Sequence, residues 1–278
     1  MARRKAEAGA SELLFLGTAG ARIVVFNQIL ASGGMVLTSK GTSILIDPGP
    51  GCLVQCKRHK VSPKRLSAIL LSHKHLDHSA DVNVMVEAMT DGGFSPRGKL
   101  LAPHDALEGD DPVVLKYLRG YLAEGVEVLE PGKTYYVGDI RFETSPFYHK
   151  HGEVQTLGLK FHLPEGTLAY VTDGRYAPEF ERFYKADVIV MNTVRKEPTP
   201  ELDHLSAEDA AKLAQAVKPK ALILTHFGMT MLRAGTRKVA EELSKRTGVK
   251  VIAAWDGARF DIAELVGGAT GGQKSLLE

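Results

Sequence analysis

The stretch Leu71–Ala80, LSHKHLDHSA, decides how the rest of the chain is interpreted. It places His73, His75, Asp77 and His78 close together in the sequence. Two histidines that are two positions apart in an extended segment point to the same side, so His73 and His75 can bind one cation. Asp77 and His78 follow on a turn into a helix and can face a second cation nearby. The motif therefore predicts a metal centre rather than a solvated polar loop.

Several other polar residues stand where an apolar run ends abruptly. Side chains at the ends of strands converge on one rim of a sheet, where a rigid scaffold holds them. An unpaired His or Asp at a buried strand end is costly, and a bound metal removes that cost. The runs that end in this way are SILID, which ends at Asp47, AILLSH, which ends at His73, LAYVTD, which ends at Asp173, and ALILTH, which ends at His226.

Composition narrows the function classes. The chain has 278 residues, of which 44% are hydrophobic and 24% charged, as in globular proteins. Its net charge of +2 predicts no field for non-specific nucleic-acid binding. Without an apolar run long enough for a membrane span or a signal sequence, we expect a cytoplasmic protein that does not contact membranes. Two cysteines cannot form a disulfide framework.

The chain alternates short apolar runs with helical segments, and predicted strands outnumber predicted helices about two to one. This pattern favours an α/β or α+β layered sandwich in which helices cover the sheets. Helices are predicted over Pro112–Leu122 and Ala207–Val217, among others, and no strand is predicted between Ser72 and Val126. Since no linker interrupts the chain, we expect one domain over 11–265. The ends, 1–10 and 266–278, are expected to be flexible tails.

With these residues in place, the sequence resembles the metallo-β-lactamase superfamily from about Leu14 to Ile262. The resemblance implies a four-layer αββα fold and a metallohydrolase with two metal ions. It also implies a role for each candidate residue. Metal one would be held by His73, His75 and a third histidine, and metal two by Asp77, His78 and His226. Asp173 would bridge the two metals, and Asp47 would support the histidine loop from behind.

Two histidines compete for the third position of metal one. His149 and His151 both lie in the segment SPFYHKHGEVQTLGLKF. The family has a histidine, then a short loop, then a strand that begins at glycine, which favours His151 ahead of Gly158. His149 is then expected at the pocket wall or on the surface.

The predicted ligands are imidazoles and carboxylates. Zinc accepts this set readily, and manganese and iron also suit it, so two divalent ions, zinc first, are expected. Two such cations about 3.5–4 Å apart share a bridging water and make it hydroxide near neutral pH. Asp77 is then placed to bind metal and to orient that hydroxide. These considerations predict a hydrolase.

The segment LDHLSAEDA, Leu202–Ala210, resembles the tRNase Z and phosphodiesterase branch of the superfamily. That resemblance implies that His204 lies beside the metals and protonates the leaving oxygen, which is general acid catalysis. A histidine that only precedes and caps the next helix is the alternative. Arg175 and Arg195 are candidate phosphate-binding residues, since guanidinium groups pair well with phosphate oxygens.

One departure limits the substrate. Only 22 positions separate His151 from Asp173, too few for the long arm with which tRNase Z grips tRNA. We therefore predict hydrolysis of a small or single-stranded phosphodiester, with a homodimer as the default assembly. A thioesterase or lactonase of the same fold is the alternative, and it would not need His204.

Overall fold

The structure is a computed structural model that describes residues 10–267. The tails predicted at 1–10 and 266–278 therefore lie almost entirely outside the described residues. Within 10–267, no helix combines the length and the apolar character that crossing a bilayer requires.

The first sheet has seven strands in the spatial order β14-β1-β2-β3-β4-β5-β6. The pairs from β3 to β6 are parallel, and β14, β1, β2 and β3 pair antiparallel. The strands are β1 (Glu12–Phe15), β2 (Met35–Ser39), β3 (Thr42–Ile46), β4 (Ala68–Leu70), β5 (Lys99–Pro103), β6 (Val126–Leu129) and β14 (Arg259–Asp261).

The second sheet also has seven strands, in the order β13-β12-β11-β10-β9-β8-β7. Strands β10 to β13 pair parallel, and β7 to β10 pair antiparallel. The strands are β7 (Thr134–Val137), β8 (Ile140–Thr144), β9 (Leu159–Leu163), β10 (Gly166–Val171), β11 (Val188–Asn192), β12 (Ala221–Thr225) and β13 (Lys250–Ala253).

Helices cover the outer faces of both sheets. Apart from two short 3₁₀ helices, Pro63–Arg65 and Lys116–Tyr121, the described helices are α1 (Ala21–Phe26), α2 (Cys52–Arg58), α3 (Leu76–Ser79), α4 (Val82–Thr90), α5 (His104–Leu107), α6 (Glu179–Phe183), α7 (Ala207–Val217), α8 (Met229–Ala234), α9 (Thr236–Thr247) and α10 (Ile262–Val266).

The core lies in three layers. Between the sheets, Phe15 of the first packs in one cluster with Phe142 and Phe161 of the second. Outside the first sheet, α2 and α4 bury side chains such as Met85 against it. Outside the second sheet, α6, α7 and α9 do the same, as with Leu213. The predicted four-layer αββα sandwich is confirmed.

Two local predictions are wrong. The segment predicted as a helix over Pro112–Leu122 contains only a 3₁₀ helix at its end. Asn83 of α4 explains this, because its side chain bonds the carbonyl of Val113 and the amide of Leu115, which removes them from helical pairing. Strand β5 was missed, since the run is short and rich in leucine rather than in β-branched residues.

The parallel strands bring the candidate residues together. Strands β3 and β4 run parallel in one sheet, and β10, β11 and β12 run parallel in the other. Their carboxyl ends therefore meet at one rim of each sheet. Asp47 follows β3, His73 follows β4 by a short extension, Asp173 follows β10 and His226 follows β12.

Candidate metal centre

The histidine loop leaves β4 extended and turns into α3. Its first histidine, His73, is fully buried. The hydroxyl of Ser72 donates to Asp47 at 2.7 Å and lies 3.0 Å from Nδ1 of His73, so it accepts the Nδ1–H of that ring. This hydrogen bond leaves the lone pair on Nε2, which is the atom a metal needs.

Three imidazoles form the first cluster, which consists of His73, His75 and His151, and their donor atoms lie within 4.8 Å of one another. Nδ1 of His75 is 2.9 Å from Nε2 of His151. The other ring nitrogen of His151 donates to the carbonyl of Asp203 at 2.8 Å, which fixes its tautomer. Burial lowers the pKa of His73 well below its usual value and that of His75 to about 4. Neutral imidazole is the form that binds metal.

A second cluster lies beside the first and consists of Asp77, His78, Asp173 and His226. Nε2 of His226 is 3.5 Å from Oδ2 of Asp77 and 3.4 Å from Oδ2 of Asp173. The same Asp173 oxygen is 3.6 Å from Nε2 of His78 and 3.6 Å from Nε2 of His151. One carboxylate oxygen therefore faces both clusters, as a bridging ligand would.

The second cluster is built to hold positive charge. Burial opposes ionisation of Asp173, but His226 and His78 hold the pKa of that carboxyl well below its usual value. Burial likewise opposes protonation of His226, yet Asp173 raises the pKa of His226 to about 9. The carboxylates of Asp77 and Asp173 stabilise positive charge on the neighbouring histidines. The same negative charge would stabilise a divalent cation at this place.

Several buried nitrogens lack any hydrogen-bond partner among the described residues. Four of them are imidazole nitrogens of the candidate site: Nε2 of His73, His78 and His226 and Nδ1 of His204. Leaving such atoms unpaired is expensive, and native structures rarely do so. Because all four face the two clusters, the donor set fits a divalent metal.

Asp47 lies behind the candidate metal ligands. Its carboxylate accepts hydrogen bonds from the amide and hydroxyl of Ser72, each at 2.7 Å, and from the hydroxyl of Tyr170 at 2.9 Å. Its backbone φ of 53° lies in the left-handed region, which is uncommon outside glycine and often marks functional sites. Asp47 thus supports the histidine loop from the end of β3.

His149 stands outside both clusters, although it is buried. Its Nδ1 donates to the carbonyl of Asp173 at 2.9 Å, and its Nε2 accepts from the hydroxyl of Tyr184 at 2.5 Å. A side chain at Gly158 would collide with that hydroxyl, because a Cβ there would lie 1.6 Å away. His149 therefore positions the backbone of Asp173 instead of facing the metal clusters.

His204 lies at the edge of the centre, and a quarter of its side chain is exposed. Its Nδ1 is 3.7 Å from Oδ2 of Asp173, and its ring packs on that of His151 with centroids 5.1 Å apart. Burial lowers the pKa of His204 below its usual value. An imidazole that reaches both the clusters and solvent can exchange a proton with a bound substrate.

The two candidate arginines differ. Nη2 of Arg175 donates to the carbonyl of Pro200 at 2.6 Å and lies 2.9 Å from Oδ1 of Asp203. Arg175 is thus held by the loop that carries His204. Arg195 lines a neighbouring cavity and is not part of either cluster.

Sequence reasoning missed the residues that hold the ligands in place. Asn192 donates to Oδ1 of Asp173 at 2.8 Å, and Asp203 accepts from His151 and from the amide of Gly152. Their positions gave a signal, since Asn192 ends a buried strand and Asp203 precedes His204. No such signal marks Ser72 and Tyr170, because in the sequence they resemble ordinary strand residues.

Known proteins resemble this chain along most of its length. Residues 42–227 match the family described as Beta-lactamase superfamily domain. An uncharacterized protein of Methanocaldococcus jannaschii is 33% identical over 257 residues, which cover 90% of this chain and 95% of that protein. Ribonuclease Z of Kineococcus radiotolerans is 26% identical, with 86% and 91% covered.

Solved structures share the fold. The metallo-β-lactamase fold protein YhfI of Bacillus subtilis superimposes with a TM-score of 0.76 at 18% identity, covering 91% of this chain and 99% of that one. A diphosphatase of the PhnP family superimposes with a TM-score of 0.66 at 20% identity, covering 90% and 96%. At these identities the likeness concerns the fold alone.

Proposed function

The chain belongs to the beta-lactamase superfamily and has the fold of its metallohydrolases, and we propose that it is a dinuclear phosphodiesterase that acts on a small or single-stranded phosphodiester. His73, His75 and His151 would hold one metal ion, and Asp77, His78 and His226 the other. Asp173 would bind both, because its Oδ2 faces both clusters. Zinc suits these ligands best, and manganese and iron also suit them.

The observation that carries the proposal is the place of His204. The site would already have three side chains for each metal ion and the shared carboxylate of Asp173, and His204 adds one more imidazole. An alkoxide that leaves phosphorus needs a proton or a cation, and His204 can supply the proton from the solvent side. A thioester has a better leaving group, a thiolate, and makes less use of such a residue.

When bound, the cations supply Lewis-acid stabilisation of the attacked phosphorus centre and an activated water. The chain contributes orientation. Asp77, whose Oδ2 lies 3.5 Å from Nε2 of His226, is the carboxylate best placed to accept a hydrogen bond from that water. Asp203 and Arg175 hold the loop from which His204 reaches the substrate.

The path of the chain supports a small substrate. Between His151 and Asp173 the polypeptide forms the β9–β10 hairpin, whose strands are joined across Leu163 and Gly166 by a tight turn. That stretch holds no arm that could grip a folded RNA. Relatives named ribonuclease Z, one of them 26% identical to this chain, support chemistry at phosphorus.

The test is hydrolysis of bis(p-nitrophenyl) phosphate by protein loaded separately with zinc, manganese and iron, with metal content measured on each sample. We expect metal-dependent turnover and two ions per chain. Asp77→Asn is expected to abolish turnover, whereas Glu87→Gln, a matched change on the exposed face of α4, serves as the control.

Loaded protein that turns over no phosphodiester would contradict the proposal. The same preparations would then be assayed on thioesters and lactones. Activity there that does not depend on His204 would identify the alternative hydrolase.

A further inference from the structure

A cavity of about 390 Å³ lies between the segment that follows β11 and helix α8. One wall is the segment that follows β11, including Arg195, Lys196 and Thr199, and the other is α8, including Thr230 and Arg233. The walls are joined by a hydrogen bond from the amide of Lys196 to the hydroxyl of Thr230 at 3.1 Å.

Both walls continue directly from residues of the metal centre. The amide of Arg195 donates to the carbonyl of Leu205 at 3.2 Å, so this wall pairs with the loop that carries His204. The other wall, α8, begins three residues after His226. The cavity therefore opens on the same rim of the sheet as the metal centre, on the side of His204.

The cavity carries excess positive charge. Three of its lining side chains are cationic and one, Glu197, is anionic. Glu197 lies 3.6 Å from Nζ of Lys196. Among the described residues, no carboxylate comes within ion-pair distance of Arg195 or Arg233, and Nε of Arg195 is buried without a hydrogen-bond partner.

The threonines add suitable donors. Thr230 already accepts a hydrogen bond from an amide, so its hydroxyl hydrogen is available to a ligand, and Thr199 stands on the opposite wall. Guanidinium groups without a carboxylate partner and hydroxyl groups are side chains that bind the oxygens of a phosphate group.

We propose that this cavity binds a second phosphate of the substrate, one that is not cleaved. The substrate class is thereby narrowed to phosphodiesters that carry a further phosphate nearby, such as a short oligonucleotide or a phosphorylated nucleotide. The assignment of that phosphate to a substrate rests on the proposed function, whereas the binding site itself rests on the cavity.

Binding is measured by titration calorimetry with metal-loaded protein at fixed ionic strength. The probes are thymidine 3′,5′-bisphosphate and the two thymidine monophosphates. We expect the bisphosphate to bind about ten- to a hundredfold more tightly than either monophosphate, the scale of one or two hydrogen bonds to charged groups. In Arg233→Gln most of this advantage should disappear.

Arg237→Gln is the matched control, because Arg237 is exposed on α9, pairs with Glu241 and does not line the cavity. Lys196→Gln provides an independent variant on the opposite wall, and it too should reduce the advantage. Equal binding of bisphosphate and monophosphates to the wild-type protein would overturn the inference. So would an advantage that survives in both Arg233→Gln and Lys196→Gln.

The result also separates the two proposals. A bisphosphate preference that depends on Arg233, in protein that hydrolyses no phosphodiester, would leave the anion site standing and remove the proposed function. Turnover of bis(p-nitrophenyl) phosphate without any bisphosphate preference would leave the proposed function standing and remove the anion site.

Discussion

Oδ2 of Asp47 lies 3.0 Å from Nδ1 of His78, although 31 positions separate the two residues in the chain. The contact joins the end of β3 to α3 and leaves Nε2 of His78 facing the second cluster. A carboxylate behind a metal-binding histidine fixes the ring and its tautomer and makes the free nitrogen a better ligand. The carboxylate is therefore placed to orient His78 as a candidate ligand although Asp47 itself belongs to neither cluster.

Asp47→Asn should weaken metal binding. An amide is neutral and cannot accept from His78, Ser72 and Tyr170 as the carboxylate does, so affinity should fall by about 10–100-fold. Competition with a chromogenic chelator measures this. Asp91→Asn is the control, because Asp91 is exposed at the end of α4 and its left-handed backbone tolerates asparagine. Unchanged affinity in Asp47→Asn would contradict the assigned role.

His204→Ala should slow turnover, and the size of the loss should depend on the leaving group of the substrate. For a substrate with an alkoxide leaving group we expect a loss of about 10²–10⁴, the range of general acid catalysis. For bis(p-nitrophenyl) phosphate, whose leaving group needs no proton, the loss should be much smaller. Steady-state rates on both substrates test this, with His162→Ala as a control on β9, away from both clusters. Equal losses on both would indicate that His204 is structural.

Arg175→Gln should act on the rate more than on substrate affinity. The side chain is held by Pro200 and Asp203, so its loss loosens the loop that presents His204. We expect kcat on a poor leaving group to fall about tenfold, equivalent to one hydrogen bond to a charged group, while KM changes little. A rise in KM with unchanged kcat would show instead that Arg175 binds substrate phosphate, as the sequence first suggested.

Asp187 should make stability depend on pH in the acid range. Burial opposes its ionisation, but hydrogen bonds from Thr167 and the nearby Lys220 lower the pKa of Asp187 below its usual value. A depressed pKa contributes stability above the unfolded value of about 4, and the contribution is lost as the pH falls through the folded value.

Asp187→Asn should therefore lower the free energy of unfolding at pH 7 by at most about 1 kcal/mol, because the group is partly exposed and screened. The difference from wild type should be lost as the pH falls through the folded pKa of Asp187, which lies below its usual value. Urea unfolding at several pH values measures it, with Asp139→Asn, at an exposed position, as the control. A difference that stays constant over the whole acid range would contradict this role of Asp187.

The histidine loop shows what local sequence can predict. The spacing of His73, His75, Asp77 and His78 indicates which of these side chains face the same way, because an extended segment and a helical turn have fixed periods. Runs that end in Asp47, Asp173 and His226 predicted one rim for the same reason, since parallel strands align their carboxyl ends. The alternation of strands and helices predicted a layered α/β or α+β sandwich, and the resemblance to the metallo-β-lactamase superfamily implied its four layers.

Other features depended on which parts of the chain meet. Packing separates His149 from His151: Tyr184 and the carbonyl of Asp173 bind His149 on one side, and Asp203 binds His151 on the other, where it lies beside His73 and His75. No local pattern encodes such contacts, because their partners are separated by tens of residues.

The sequence by itself determined the alternation of strands and helices, the candidate metal-binding residue types and their place at strand ends, because periodicity and spacing are properties of neighbouring residues. Only the tertiary structure decided that the Asp173 oxygen faces both clusters, that Arg175 holds a loop, and that Arg195 joins Arg233 across a cavity. The physical reason is that hydrogen bonds and charge pairs act over a few ångströms in space, whatever their separation along the chain.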